Sequence, residues 1–293
     1  MGVSVRKKTI ISVLLCMFLS LLLFSGCDSG SKESSAESDT EKKTAPDLSI
    51  ECLSVGKADA FVLYTAESCV IIDCGEKNDG KDIVDFLDDK GINKIDCLII
   101  SHFDKDHVGG AKKLIKNKSI DKVYVTYRTK TNGRTEDFDE ALYGAGLESE
   151  ELRTVTEFEL DGIVYKIFPP LLEQYGSEDD SNDSSLVVKV TAGERSVLFA
   201  GDAENRRLSE LLQNDELKAD ILKVPHHGKK EDLSALFTTH ISPSYAVITS
   251  SDDEKEDAEI INILKEKNVK TFLTREGNVT IKIEKNEILI TQE

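Results

Sequence analysis

Residues 48–293 predict one layered α/β domain, and three observations carry that expectation. Short runs rich in Val, Ile, Leu, Tyr and Phe alternate with segments of helical period. The apolar runs clearly outnumber the helical segments and include hairpins, such as 60–73 and 270–290, beside strand–helix units. Three polar motifs each follow directly on an apolar run. Together these predict mixed sheets covered by helices, not a simple parallel barrel. No Pro- or Gly-rich break divides the stretch, so a single domain is expected.

Taken in order, strands are expected at 48–55, 60–65, 68–73, 95–100, 120–126, 157–168, 185–191, 195–200, 219–224, 244–249, 270–274 and 278–290. Their length and apolar content suit strands better than helices. Helices are expected at 80–90, 107–118, 136–145, 203–213, 231–238 and 254–267. The first shows the reasoning: Lys81-Asp82-Ile83-Val84-Asp85-Phe86-Leu87 carries an apolar stripe of helical spacing and stops at Gly91.

The 293 residues carry 55 Asp+Glu against 37 Lys+Arg, a formal charge of −18, with 39% apolar residues and no Trp. Such a composition excludes an all-disordered chain, a collagen-like chain and a polytopic membrane protein. It also argues against a protein that coats duplex DNA through a large positive field.

Residues 1–27 read as an address. Arg6, Lys7 and Lys8 form a basic start, an apolar run spans 10–24, and Ser25-Gly26-Cys27 closes it with small residues. This is the layout of a signal peptide, and the run is short for a spanning helix, which needs about 20 residues. Leu-Phe-Ser-Gly-Cys resembles a bacterial lipobox, with Phe24 where Leu is usual, so Cys27 would carry the lipid. The alternative is an uncleaved anchor helix. Either arrangement puts the domain on the extracellular face of the cell membrane. Residues 28–47, rich in Ser, Glu, Lys, Asp and Thr with no apolar period, are expected to be a disordered tether. Cys52, Cys69, Cys74 and Cys97 lie mostly inside apolar runs without the paired spacing of a thiolate zinc site. They are read as small buried hydrophobes, with a disulfide open to them outside the cell.

The chemistry sits after three strands. Cys97-Leu98-Ile99-Ile100 runs into Ser101-His102-Phe103-Asp104-Lys105-Asp106-His107-Val108-Gly109-Gly110, Val197-Leu198-Phe199-Ala200 into Gly201-Asp202, and Ile221-Leu222-Lys223-Val224 into Pro225-His226-His227-Gly228. Carboxyl ends of strands are where α/β sheets place ligands. Four of the five histidines fall in two of these loops. His102, Asp104, Asp106 and His107 offer four ligands within six residues, Asp202 could bridge two ions and His226 could complete the second. Imidazole suits Zn, Mn or Fe, and carboxylate favours harder ions.

These motifs resemble the metallo-β-lactamase fold, and most closely the hydrolase domain of ComEC-type competence proteins. The resemblance rests on Val55-Gly56-Lys57-Ala58-Asp59-Ala60, Ile71-Ile72-Asp73-Cys74-Gly75, the 101–110 stretch, Asn182-Asp183-Ser184-Ser185-Leu186-Val187, Gly201-Asp202 and Leu222-Lys223-Val224-Pro225-His226-His227-Gly228. It implies a four-layer αββα sandwich with a site for two divalent ions, Zn²⁺ or Mn²⁺, along one edge. By the resemblance, one ion would take His102, Asp104 and a ligand near Asn182. The other would take Asp106, His107 and His226, with His226 preferred over His227 and Asp202 bridging. Asp73 would hold the motif loop, and Asp59 would be structural. Asp104 and Asn182 stand where the commoner pattern has histidine, and Lys229 where this branch usually has serine.

Two ions about 3.5–4 Å apart would activate a shared water for attack on a phosphodiester. Asp106 or Asp202 would orient it, and His227 and Lys223 would stabilise phosphoryl oxygens or protonate the leaving group. The resemblance implies a surface nuclease in DNA uptake. A phosphodiesterase of teichoic acid or its phosphocholine, and a non-catalytic metal-binding surface protein, are the alternatives; no obligate protein partner is evident. Lys112, Lys113, Lys116 and Lys118, with Lys229 and Lys230, offer a local basic rim or only a solvated face. The acidic stretch 173–183 leads into the site. Replacing Cys27 by serine is expected to release the protein from the membrane fraction; retention would point to the uncleaved helix.

Overall fold

The structure, a computed structural model, describes residues 47–172 and 181–293. The signal peptide, Cys27, residues 28–46 of the tether and residues 173–180 of the acidic stretch lie outside the described residues.

The described strands are, in order, β1 (Leu48–Cys52), β2 (Ala60–Tyr64), β3 (Cys69–Cys74), β4 (Lys94–Ile100), β5 (Ser119–Val125), β6 (Ser149–Glu151), β7 (Thr156–Leu160) and β8 (Ile163–Phe168). They continue with β9 (Val187–Ala192), β10 (Arg195–Phe199), β11 (Ile221–Lys223), β12 (Tyr245–Ile248), β13 (Lys270–Leu273), β14 (Val279–Glu284) and β15 (Glu287–Gln292). The helices are α1 (Asp79–Asp89), α2 (Lys105–Val108), α3 (Ala111–Asn117), α4 (Gly133–Ala145), α5 (Asn205–Leu211), α6 (Ser234–Ile241) and α7 (Ala258–Glu266).

Strands covered on both faces read as unbroken apolar runs, and all six residues of β3 are buried. One sheet has the order β15-β14-β1-β2-β3-β4-β5-β6, the other β13-β12-β11-β10-β9-β8-β7. Each sheet joins an antiparallel part to a parallel part. The parallel parts are β3 to β6 and β10 to β13.

Inward-facing residues of both sheets share one core. Ile50, Phe61, Ile72 and Ile99 meet Ile167, Val188, Val197 and Phe199 there, with the Phe61 and Phe199 rings 4.9 Å apart. Outside the first sheet, Ile83, Leu87, Leu114 and Phe138 of α1, α3 and α4 cover Ile71 and Leu98. Outside the second, Leu208 and Leu211 of α5 and Phe237 and Ile241 of α6 cover Leu198 and Leu222. Ile260 and Leu264 of α7 cover Ala246 and Ile248. Each such side chain contributes about 1.5–3 kcal/mol on burial. The layers are therefore helix, sheet, sheet, helix.

Several boundaries differ from expectation. The runs at 157–168 and 278–290 are each two strands. Asp161-Gly162 and Lys285-Asn286 turn between them with positive φ at both residues, the backbone of tight hairpins. The expected hairpin 270–290 is not one: β13 belongs to the second sheet and the β14–β15 hairpin to the first. The expected helix 107–118 divides into α2 and α3 at Gly109-Gly110, where the chain presses on β3. A Cβ on Gly110 would lie 2.2 Å from the Cys74 carbonyl oxygen. Strand β6, polar and largely exposed, carried no apolar signal. All four described cysteines are free and buried, and burial pushes the Cys69 thiol up to about 12.

Two glycine substitutions should therefore differ in sign. Gly110→Ala is expected to cost about 3 kcal/mol through overpacking. Gly144→Ala, in α4 with nothing within 4 Å of the added Cβ, is expected to gain about 0.5–1 kcal/mol. Urea unfolding midpoints check both.

Candidate metal centre

The three motif loops leave the carboxyl ends of β4, β10 and β11, so both sheets deliver side chains to one edge. The donor atoms of Asp106, His107, Asp202 and His227 lie within 4.8 Å of one another. His107 Nε2 is 3.3 Å from Asp202 Oδ1. His227 Nε2 is 3.1 Å from Asp202 Oδ2 and 3.4 Å from Asp106 Oδ2. The His102 ring lies beside His107, tilted by 48° at 4.0 Å between centroids, and its Nε2 is 3.9 Å from Asp104 Oδ2.

A second set of residues fixes these rings. Asp73, itself at φ 58°, accepts from the Ser101 backbone N–H at 2.7 Å and from Ser101 Oγ at 2.6 Å. It also accepts from His107 Nδ1 at 2.8 Å. His102 Nδ1 faces Ser101 Oγ at 3.1 Å. His227 Nδ1 donates to Thr249 Oγ1 at 2.9 Å, which donates to Asp59 Oδ1 at 2.6 Å. In all three rings Nδ1 is engaged, which leaves Nε2 as the lone-pair nitrogen of the neutral imidazole. Gly201, at φ 54°, keeps a Cβ away from Ser185, whose Oγ accepts from the Asp202 N–H at 3.1 Å.

Charge is concentrated here. Burial pulls His107 and His227 down, but Asp202 and its neighbouring carboxylates outweigh it and raise both, His107 well above the ordinary imidazole value. Burial would raise Asp202, yet His227, His107 and Lys223 hold it well below the usual carboxylate range. Asp106 is likewise lowered against its burial by His227 and His107. His102 is lowered, first by burial and then by His107.

The residues fit a divalent cation. The Nε2 atoms of His102, His107 and His227 are buried with no hydrogen-bond partner among the described residues. The separations of 3.1–3.4 Å match the roughly 3.4 Å edge of a tetrahedron with bonds of about 2.1 Å.

The structure places other expected site residues differently. Between the two neighbouring histidines, His227 and not His226 stands with Asp106 and Asp202, because both residues are in left-handed backbone and their rings diverge. His226 Nδ1 is instead 3.3 Å from Glu204 Oε1. The Asn182 amide donates to the same Glu204 oxygen at 2.7 Å, and Asp104 accepts from Ser181 Oγ. Lys223 is not aimed at a leaving group. It is buried, ion-paired with Asp59, 3.4 Å from Asp202 Oδ1, and donates to the Gly201 carbonyl at 3.0 Å. Burial lowers Lys223 less than Asp59 and Asp202 raise it, so it is a fixed charge and not a neutral-pH proton donor. The basic rim shrinks too: Lys112 pairs with Asp137 and Glu140, and Lys118 is buried against Asp88.

Thr249, Glu204 and Glu231 escaped the sequence reading, and Ser185 entered it only as part of the 182–187 motif, without a role. Thr249 alone carried a usable signal, since it follows β12 as the other motifs follow their strands.

An αββα sandwich with a buried His/Asp cluster at one edge defines a metallohydrolase class. Residues 53–248 match the family model of the metallo-β-lactamase superfamily, and the chain belongs to that superfamily. Its similarity is to the ComEC-like competence branch. It is 28% identical over 176 residues to ComE operon protein 3 of Bacillus subtilis, covering 60% of this chain and 22% of that protein. It is also 28% identical over 214 residues to Recombination protein 2 of Haemophilus influenzae (70% and 24%). With Competence protein ComA of Neisseria gonorrhoeae it shares 28% over 200 residues (67% and 26%). The chain thus spans about a quarter of the length of these relatives. Among solved structures, the metallo-β-lactamase fold protein YhfI of Bacillus subtilis superposes with a TM-score of 0.53 at 10% identity, covering 83% of this chain and 100% of that one. A mutant of the CmlA β-hydroxylase gives 0.53 at 15% identity (80% and 53%).

Because His107 and His227 are raised, they hold protons near neutrality that a metal must displace. Binding of Zn²⁺ or Mn²⁺ at about pH 7 is expected to release at least one proton and to weaken as pH falls. Calorimetry in buffers of different ionisation enthalpy measures this; metal uptake without proton release would contradict it.

Proposed function

We propose that this chain is a metal-dependent phosphodiesterase acting on DNA at the extracellular face of the cell membrane, held there by lipid on Cys27. The observation that carries the reading is the convergence of Asp106, His107, Asp202 and His227 at one edge, with both imidazole Nε2 atoms buried and without a hydrogen-bond partner among the described residues. The superfamily and this cluster together support a metal-dependent hydrolase. The competence relatives support DNA as the polymer.

Two divalent ions, Zn²⁺ or Mn²⁺, would activate water and offset charge at phosphorus when bound. Asp106, His107, Asp202 and His227 would hold one ion, with His102 and Asp104 contributing to its neighbour. The remaining work belongs to the protein's own groups. Asp73 and the Thr249–Asp59 pair hold the rings of His107 and His227 with Nε2 forward. Lys223, beneath Asp202, keeps that carboxylate ionised and oriented. Lys112 and Lys118 are paired with acidic side chains, which reduces the basic rim offered to a phosphate backbone.

Asp202→Ala is expected to lower metal-dependent cleavage of bis(p-nitrophenyl) phosphate and single-stranded DNA by at least about 10³-fold, the loss of several kcal/mol of charge stabilisation. Its circular dichroism should stay native. Normal turnover would contradict the assignment. Preference for teichoic acid over single-stranded DNA would move the substrate to the wall.

A further inference from the structure

His226 and His227 are consecutive and both left-handed, at φ 49° and 52°. For residues with a Cβ, that backbone is unfavourable. The turn parts their rings, whose centroids lie 6.3 Å apart at 61°. His227 joins Asp106 and Asp202, while His226 enters a different group. Its Nδ1 lies 3.3 Å from Glu204 Oε1 and 3.8 Å from Glu231 Oε1. That nitrogen is buried and has no hydrogen-bond partner among the described residues.

The two glutamates come from separate elements, Glu204 just before α5 and Glu231 in the loop before α6. No Lys or Arg forms an ion pair with either among the described residues, and the two expose only 30% and 17% of their side chains. Each is steered by a neutral amide. Asn182 Nδ2 donates to Glu204 Oε1 at 2.7 Å, and Asn205 Nδ2 donates to Glu231 Oε2 at 2.7 Å, which leaves Glu231 Oε1 turned to the imidazole. Two half-buried carboxylates held side by side without a Lys or Arg partner among the described residues repel one another.

We infer that Glu204, His226 and Glu231 form a further divalent-cation site, distinct from the Asp106–His107–Asp202–His227 cluster. Their three donor atoms lie within 4.8 Å of one another, and the two imidazole–carboxylate separations of 3.3 and 3.8 Å lie near the roughly 3.4 Å that bonds of about 2.1 Å require. Two carboxylates and one imidazole select Mn²⁺ or Zn²⁺ over the all-oxygen preference of Ca²⁺. An ion on His226 Nδ1 would leave the ring proton on Nε2. The competing arrangement is a simple ion pair of imidazolium with the two glutamates. The inference goes beyond the proposed function and does not depend on it.

Equilibrium dialysis of the full chain against Mn²⁺, with elemental analysis, tests the site without reference to turnover. Asp202→Asn is expected to retain one ion, and adding Glu204→Gln and Glu231→Gln to that variant is expected to remove it. On the wild-type background the two glutamine changes should lower the bound metal by one equivalent. Unchanged metal content in the glutamine variants would overturn the site in favour of the ion pair. If the double change unfolds the protein by circular dichroism, Glu231→Gln alone decides. The site requires at least a tenfold weaker Kd for one ion, and an unchanged Kd overturns it.

Discussion

Four carboxylates, those of Asp59, Asp73, Asp106 and Asp202, meet at this edge of the sandwich, and Lys223 is the one permanent cation paired with them among the described residues. Three of the four are almost fully buried. Their mutual repulsion in a low-dielectric setting amounts to several kcal/mol per uncompensated charge. Compensation must come from protons on His107 and His227 or from cations in their place. The raised imidazoles and the lowered Asp202 are two faces of that one demand. A divalent ion answers it by engaging both the carboxylates and the Nε2 atoms, which have no hydrogen-bond partner among the described residues.

The fold makes the crowding unavoidable. Each sheet has a parallel part, and parallel neighbours end on the same side. The ends of β4, β10, β11 and β12 therefore bring His102 to His107, Asp202, His227 and Thr249 to a common rim. The cores on either side of each sheet hold those strands rigid, and the close backbone approach of Gly110 to β3 locks the first motif loop against Asp73.

The layered fold and the place of the site were legible because buried parallel strands announce themselves as apolar runs, and the polar residues that interrupt them stand out. Hairpin turns were harder to read. Asp161-Gly162 and Lys285-Asn286 act through backbone angles, so each interrupted what read as one strand. The choice between His226 and His227 was not legible at all: adjacent residues in left-handed backbone face different ways, and only the folded turn shows which. Lys223 misled for a related reason. A lysine beside a metal-binding motif reads as a phosphoryl contact or proton donor, whereas here it turns inward to Asp59 and Asp202. Glu204 and Glu231 lie in unremarkable acidic loops, and only tertiary contact gives them meaning.

The central claim is that cations occupy the Asp106–His107–Asp202–His227 cluster. Anomalous diffraction from crystals equilibrated with Mn²⁺ tests it most directly. The account predicts a strong peak bounded by His107 Nε2, His227 Nε2 and the Asp202 carboxylate. Full-occupancy side chains in their present positions, with no anomalous density among them, would contradict it.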